Sequence, residues 1–282
     1  MSNNNTEAET ITEANESAKV EIPEEEVKIV AEDAPVVEAV SEEEAGFVAT
    51  IPTSLEDWKP KTKLGKDVKS GKITNINEIL STGTPILEPQ ITEILLPNME
   101  NDLLMIGQSK GKFGGGQKRA FRQTQKKTPE GNKPSFSALV VVGNKNGIVG
   151  VGYGKSKDTI PARDEAIRNA KAGIFKIRRG CGSWECNCKA SHSIPFKVKG
   201  KVGGVTLELL PAPRGKGLIV EPEIAKILSF AGVKDIWCKR VGRSTGKSNL
   251  IAAGIKALHK LSTTKISQEH RENLGIVEGA HD

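Results

Sequence analysis

Ser135-Phe136-Ser137-Ala138-Leu139-Val140-Val141-Val142-Gly143-Asn144-Lys145-Asn146-Gly147-Ile148-Val149-Gly150-Val151-Gly152-Tyr153-Gly154-Lys155 is the stretch on which the fold turns. The apolar, β-branched run from Phe136 to Val142 predicts a buried strand, Asn144 to Gly147 a hairpin turn, and Ile148 to Tyr153 the returning strand. Gly150, Gly152 and Gly154 resemble a dinucleotide fingerprint in spacing. They fall inside the hairpin strand, however, and so read as close backbone packing. A helix is expected over residues 161–177. Ala166, Ile167, Ala170, Ile174 and Ile177 form its apolar stripe, with Arg163, Arg168, Lys171 and Lys176 turned elsewhere.

Upstream of the hairpin, residues 58–66 are basic and turn-rich. Short helices are predicted over 75–80, behind the cap candidate Thr74, and over 91–96, between Pro89 and Pro97. A second unit begins near Arg178. Residues 194–201 alternate, with Ile194, Phe196 and Val198 facing in and Lys197, Lys199 and Lys201 facing out. Residues 202–210 pair next, with Val205, Leu207 and Leu209 inward. The basic loop Pro211-Ala212-Pro213-Arg214-Gly215-Lys216-Gly217 follows, and then a helix over 221–230, a strand over 233–241 and a helix over 246–261. The order is α+β rather than a regular βαβ alternation.

Charge divides the chain. Residues 1–50 hold 14 acidic side chains against Lys19 and Lys28, so this segment reads as a disordered acidic tail. The other 232 residues carry 39 basic and 21 acidic side chains, a net +18 suited to a polyanionic partner. The opening residues lack a basic and apolar leader, no run of 18 apolar residues is present, and the chain is expected in the cytosol with its cysteines reduced.

The densest basic segment is Lys110, Lys112, Lys118, Arg119, Arg122, Lys126, Lys127 and Lys133, opposed within it only by Glu130 and interleaved with Gly111, Gly114, Gly115 and Gly116. Glycine lets backbone approach a phosphate closely. A-form RNA offers phosphates and 2′-hydroxyls across a shallow groove, for which Lys, Arg and amide groups are the matching chemistry. With one Tyr and seven Phe in the chain, base stacking is not the main mode. Further RNA-contact candidates are Lys155, Lys197, Lys199, Lys201, Arg214, Lys216 and Lys247.

Cys181, Cys186, Cys188 and His192 form a C-x4-C-x-C-x3-H cluster. Four N/S ligands suit a closed tetrahedral structural zinc site, with no open position for catalysis. Reduced, unliganded thiols are the main alternative and a disulfide the lesser one. Gly242-Arg243-Ser244-Thr245-Gly246-Lys247-Ser248 imitates a phosphate-binding P-loop, but Val241 stands where the first glycine is required. No Ser-His-Asp or paired-carboxylate arrangement has local support, so no catalytic residue is assigned and the chain reads as a non-enzyme.

The hairpin run, together with Pro211 to Gly217 and Ala231-Gly232-Val233-Lys234-Asp235, closely resembles the two signatures of the small-subunit ribosomal protein S-five family, in family order and spacing. The run from Arg178 to Cys186 resembles its archaeal branch. The resemblance spans roughly residues 55–265 and omits the acidic tail. It implies a double-stranded-RNA-binding-like first domain and an α+β sandwich second domain. The division would be a tail at 1–54, a helical extension at 55–109, the first domain at 110–178, a zinc-binding connector at 179–193, the second domain at 194–265 and a tail at 266–282. It further implies binding to small-subunit rRNA near the mRNA entry channel and decoding region, beside proteins S-three, S-four and S-eight or their archaeal counterparts, with roles in subunit assembly and translational accuracy in the cytoplasm. The family's RNA-reaching loop would correspond to residues 126–133, where Pro129-Glu130 departs from the bacterial pattern. A stand-alone double-stranded-RNA-binding or assembly factor is the competing reading, disfavoured by the second signature.

Overall fold

Residues 58–109, 118–242 and 245–280 are described in a computed structural model of the chain. The expected acidic tail, Lys110 and Lys112 lie outside the described residues. Helices α1 (Lys63–Lys69), α2 (Ile76–Thr82) and α3 (Pro89–Leu95) open the described chain. The first of them falls where a turn-rich segment was expected. Thr62 caps it, its Oγ1 accepting from the Gly65 N–H at 3.0 Å, and Gly65 is buried in the helix instead of breaking it. Helix α2 is capped at Asn75 rather than Thr74 and ends at Gly83 with a left-handed φ of 72°. Trp58, Val68, Ile76, Ile79, Ile86 and Ile91 from this segment pack over Ile148 and Ile174.

The first sheet contains β1 (Glu100–Leu103), β2 (Arg122–Thr128), β3 (Gly131–Gly143), β4 (Ile148–Ser156) and, after helix α4 (Thr159–Ala172), β5 (Ile174–Lys176). All pairings are antiparallel. Strands β1 and β2 share one edge of β3, β1 from Glu100↔Gly143 to Leu103↔Val140 and β2 from Arg122↔Ser137 to Thr128↔Gly131. On the other edge β4 pairs only from Phe136↔Ser156 to Gly143↔Val149. The outer part of β2–β3 therefore leaves the sheet as a two-stranded ribbon.

Helix α4 lies against β4 because the glycines leave room for it. A Cβ on Gly150, Gly152 or Gly154 would come within 2.3 Å of the carbonyl oxygen of Ala170, Ala166 or Ala162 respectively. The glycine run is thus a packing device, as read from the sequence. The helix stops at Gly173, earlier than the periodicity suggested, and Ile174 and Ile177 are not on its stripe. Ile174 lies on β5, and both are buried through the sheet side of the chain.

After β6 (Arg178–Arg179), the second sheet has the order β7 (Val198–Val202), β8 (Val205–Pro211), β10 (Ile236–Val241), β9 (Leu218–Ile219), with β9 parallel to β10. The strand expected over 194–201 begins only at Val198. Pro195 supplies no N–H for a ladder, so Ile194 is buried without belonging to a strand. Helices α5 (Pro222–Phe230) and α6 (Lys247–Thr263) cover one face. Gly200 lets α6 close on β7, since a Cβ there would sit 1.9 Å from the Ala253 carbonyl oxygen. Residues 266–280, read as a tail, carry α7 (Gln268–Asn273) and β11 (Val277–Glu278), the latter paired to β6.

The two sheets share one core. Val141 and Val149 of the first sheet, with the adjoining Leu104 and Ile177, pack with Leu207 and Leu209 of β8, Ile227 and Leu228 of α5 and Leu258 of α6. Each such side chain contributes about 1.5–3 kcal/mol on burial. Polar ties reinforce the junction: the Lys145 and Gly147 N–H groups donate to the Phe230 and Ala231 carbonyls at 2.9 and 3.0 Å. The Met105 N–H donates to Glu223 Oε2 at 2.8 Å.

Candidate nucleic-acid interface

Register sorts the basic ribbon into two faces. Directly paired residues point to the same side of an antiparallel ladder. Arg122, Thr124 and Lys126 thus share a face with Ser137, Ser135 and Lys133. This face is turned away from α4, because the neighbouring pair Ala138↔Gly154 is the one that meets the helix. Lys155, paired with Ser137, extends the cationic row onto β4. Lys127 lies on the opposite face with Gln123 and Gln125. Lys126 and Lys133 stand directly opposite each other, a like-charge pairing that costs stability unless an anion relieves it. Lys133 leans on Glu130 at 3.0 Å, but both side chains are more than 60 % exposed and the pair is weak. Cations with the Thr124 and Ser135 hydroxyls on this strip match phosphate and 2′-hydroxyl chemistry, whereas Ser137 is buried and donates to the Arg122 carbonyl.

At the base of the ribbon, Arg119 is exposed, and Lys118 Nζ donates to the Thr245 carbonyl at 3.2 Å, tying the strip to the start of α6. On the second sheet the lysines are not equivalent. Glu208 accepts both Lys197 at 2.8 Å and Lys199 at 2.7 Å. Hydrogen bonds from Lys197 and then Lys199 pull its carboxyl down from 4.5 to about 2. Lys201 is exposed, as are Arg214 and Lys216 in the loop whose Gly215 and Gly217 have φ of 87° and 73°. Lys247 is not open to a ligand, since it pairs with the Glu221 carboxylate.

Because the folded carboxyl titrates below its ordinary value, Glu208 stabilises the fold fully above about pH 4.5 and loses that contribution as pH falls toward about 2. Acid titration of thermal stability should show this component in the wild type and not in Glu208→Gln. Parallel curves would remove the clamp.

The cysteine cluster is assembled by the fold. Its three Sγ atoms and a His192 ring nitrogen all lie within 4.8 Å of one another, and all four cysteines are free thiols. Gly180 and Ser193 bridge across the loop, and the Gly182 N–H donates to the Ile194 carbonyl at 3.2 Å, which brings the loop's two ends together. Cys186 Sγ lies 3.9 Å from His192 Nε2, while His192 Nδ1 meets Asp235 Oδ2 at 2.9 Å. Burial pushes the Cys181 thiol up to about 11, whereas the Arg214 backbone N–H and then Cys188 bring Cys186 down to about 6. Asp235 and Glu208 escaped the sequence reading as site residues. Asp235 lies within a recognised signature but 43 positions from His192, and Glu208 reaches its lysines only across the β7–β8 ladder.

Among the described helices none is long and apolar enough to cross a membrane. Residues 120–178 match the family described as "Ribosomal protein S5, N-terminal domain", and residues 200–271 match "Ribosomal protein S5, C-terminal domain". The chain is 47 % identical over 227 residues to "Small ribosomal subunit protein uS5" of Nanoarchaeum equitans, covering 80 % of this chain and 97 % of that protein. The protein of that name from Methanocaldococcus jannaschii is 42 % identical over 226 residues, again 80 % of this chain and 97 % of the relative. That of Sulfurisphaera tokodaii is 43 % identical over 204 residues, 72 % and 88 %. An α+β body carrying two such matched regions belongs among the structural ribosomal proteins, which are not enzymes. The chain belongs to the ribosomal protein S5 family, with archaeal relatives across most of its length.

Proposed function

We propose that this chain is a structural protein of the small ribosomal subunit that binds rRNA through the β2–β3 ribbon. It acts near the mRNA entry channel and decoding region, supports subunit assembly and translational accuracy, and neighbours proteins S-three, S-four and S-eight or their archaeal counterparts in the cytoplasm. The observation that carries the reading is the protruding strip of Arg122, Lys126 and Lys133 with Thr124 and Ser135, on a chain whose relatives are small-subunit proteins. Lys118, Arg119, Lys155, Lys201, Arg214 and Lys216 extend the contact. Lys197, Lys199 and Lys247 add less, because each already faces a carboxylate. The body works as a helical extension, a first domain, a connector and a second domain, with β1 of the extension added to the first sheet and residues 277–278 paired back onto β6.

The connector holds one structural zinc ion on Cys181, Cys186, Cys188 and His192. The donor set is right for zinc, and His192 is oriented by Asp235 in the carboxylate–histidine arrangement that zinc ligands commonly use. The ion would pin the connector beside the Arg214 loop.

Sedimentation of cell extract tests the function. Full-length protein is expected in the small-subunit fraction, and a version lacking residues 1–54 should remain there. A predominantly free pool, binding duplex RNA equally well without ribosomes, would favour the stand-alone factor instead.

A further inference from the structure

Arg179 is an unusual cation. Its side chain is 7 % exposed, and its Nε has no hydrogen-bond partner. Nη2 donates to Asn146 Oδ1 at 2.7 Å, a neutral acceptor. Among the described residues no carboxylate lies within ion-pairing distance of the guanidinium, and burial alone lowers its pKa. Room for the group comes from two glycines: a Cβ on Gly147 would sit 3.3 Å from Nε, and one on Gly232 would sit 2.9 Å from Nη1. A buried, unpaired guanidinium is costly, and such a charge is retained where something else supplies the counter-charge.

The side chain lines a cavity of about 900 Å³ where the first-domain hairpin turn meets the loops around 214–217 and 229–235. Lys145, Arg214 and Lys234 line it too, and Asp235 is the only acid among the described residues that line it. Both Asp235 oxygens are already engaged, by His192 Nδ1 at 2.9 Å and by the Gly217 N–H at 2.8 Å. Lys145 is held by Glu100 at 2.5 Å, which leaves Lys234 and Arg214 as exposed cations at the rim. Nε is closed off beside Gly147, but Nη1, next to the cavity-lining Gly232, makes no hydrogen bond among the described residues, and a guanidinium ringed by further cations matches the oxygens of a phosphate.

We propose that this cavity is a phosphate-binding site in which Arg179, with Lys234 and Arg214, grips a phosphodiester group of an RNA strand running past the domain junction. Its chemistry stands on the cavity alone, and only the identity of its occupant rests on the rRNA-binding reading.

The test is thermal melting of the full-length protein in inorganic phosphate against chloride at matched ionic strength. At ten times its dissociation constant, phosphate should raise the midpoint by about 3–5 °C. Arg179→Met should lose that shift, and its phosphate-free midpoint should hold or rise, because an unpaired buried charge is gone. Should that variant fail to fold, Lys234→Met changes an exposed residue and should weaken phosphate binding at least tenfold. Lys256→Met, on the exposed side of α6, should match the wild type. No phosphate-dependent shift, or the same shift in both cavity variants, overturns the site. A short single-stranded oligoribonucleotide should displace phosphate from the wild type. If phosphate binds but the oligonucleotide does not compete, the occupant is free phosphate and the RNA assignment fails. None of these outcomes depends on the β2–β3 ribbon, which is tested separately.

Discussion

Cys186→Ser is expected to abolish zinc binding and to lower the thermal midpoint by about 6–12 °C. Small zinc domains owe their whole folding energy to the metal, roughly 10–16 kcal/mol. Here none of the four proposed ligands belongs to the core shared by both sheets, so only the connector around residues 180–193 and the loops it holds would depend on the proposed ion. A loss of roughly 3 kcal/mol is therefore the expected scale, at about 2–4 °C per kcal/mol for a body of this size. Metal analysis of purified protein should find one zinc per chain in the wild type and in Cys238→Ser, since Cys238 sits on β10 outside the cluster. Asp235→Asn should keep the ligands but bind zinc about 10–100-fold more weakly. A metal-free wild type whose melting matches Cys186→Ser would eliminate the site.

Neutralising Arg122, Lys126 and Lys133 together to glutamine should weaken rRNA binding about a hundredfold at moderate salt and flatten the salt dependence. Each phosphate contact contributes about 0.7–0.9 to the slope of log affinity against log salt, so three lost contacts should reduce it by about 2–3. The paired change Lys197→Gln and Lys199→Gln should have a smaller effect, because Glu208 already compensates those charges. Filter binding to small-subunit rRNA at several salt concentrations measures both. An unchanged slope in the triple variant would move the main contact off the ribbon.

Much of the fold was legible because its signals are local. The β3–β4 hairpin follows from an apolar run and an Asn-Gly turn, and α5 and α6 from apolar periodicity between breakers. The errors arose where local signals conflicted with packing. Residues 58–66 read as turn-rich, yet α1 starts at Lys63, with the bare Cα of Gly65 fitting between Pro60 and Glu88. The α4 stripe seemed to run on to Ile177, yet Gly173 ends the helix and the next residues join the sheet edge.

The site divides in the same way. The sequence alone determined a basic α+β body with a lysine-rich segment over 110–133 and four clustered metal-type ligands, and its resemblance to two ribosomal signatures. Tertiary structure decided which of those charges are available. Lys197, Lys199 and Lys247 meet acids on other elements, while Arg179, an ordinary arginine in the sequence, is enclosed with no acid partner among the described residues. It also supplied Asp235 to His192 from a distant loop. The reason is range: turn chemistry and periodicity act over a few residues, whereas the free energy of a charge depends on every group folded around it.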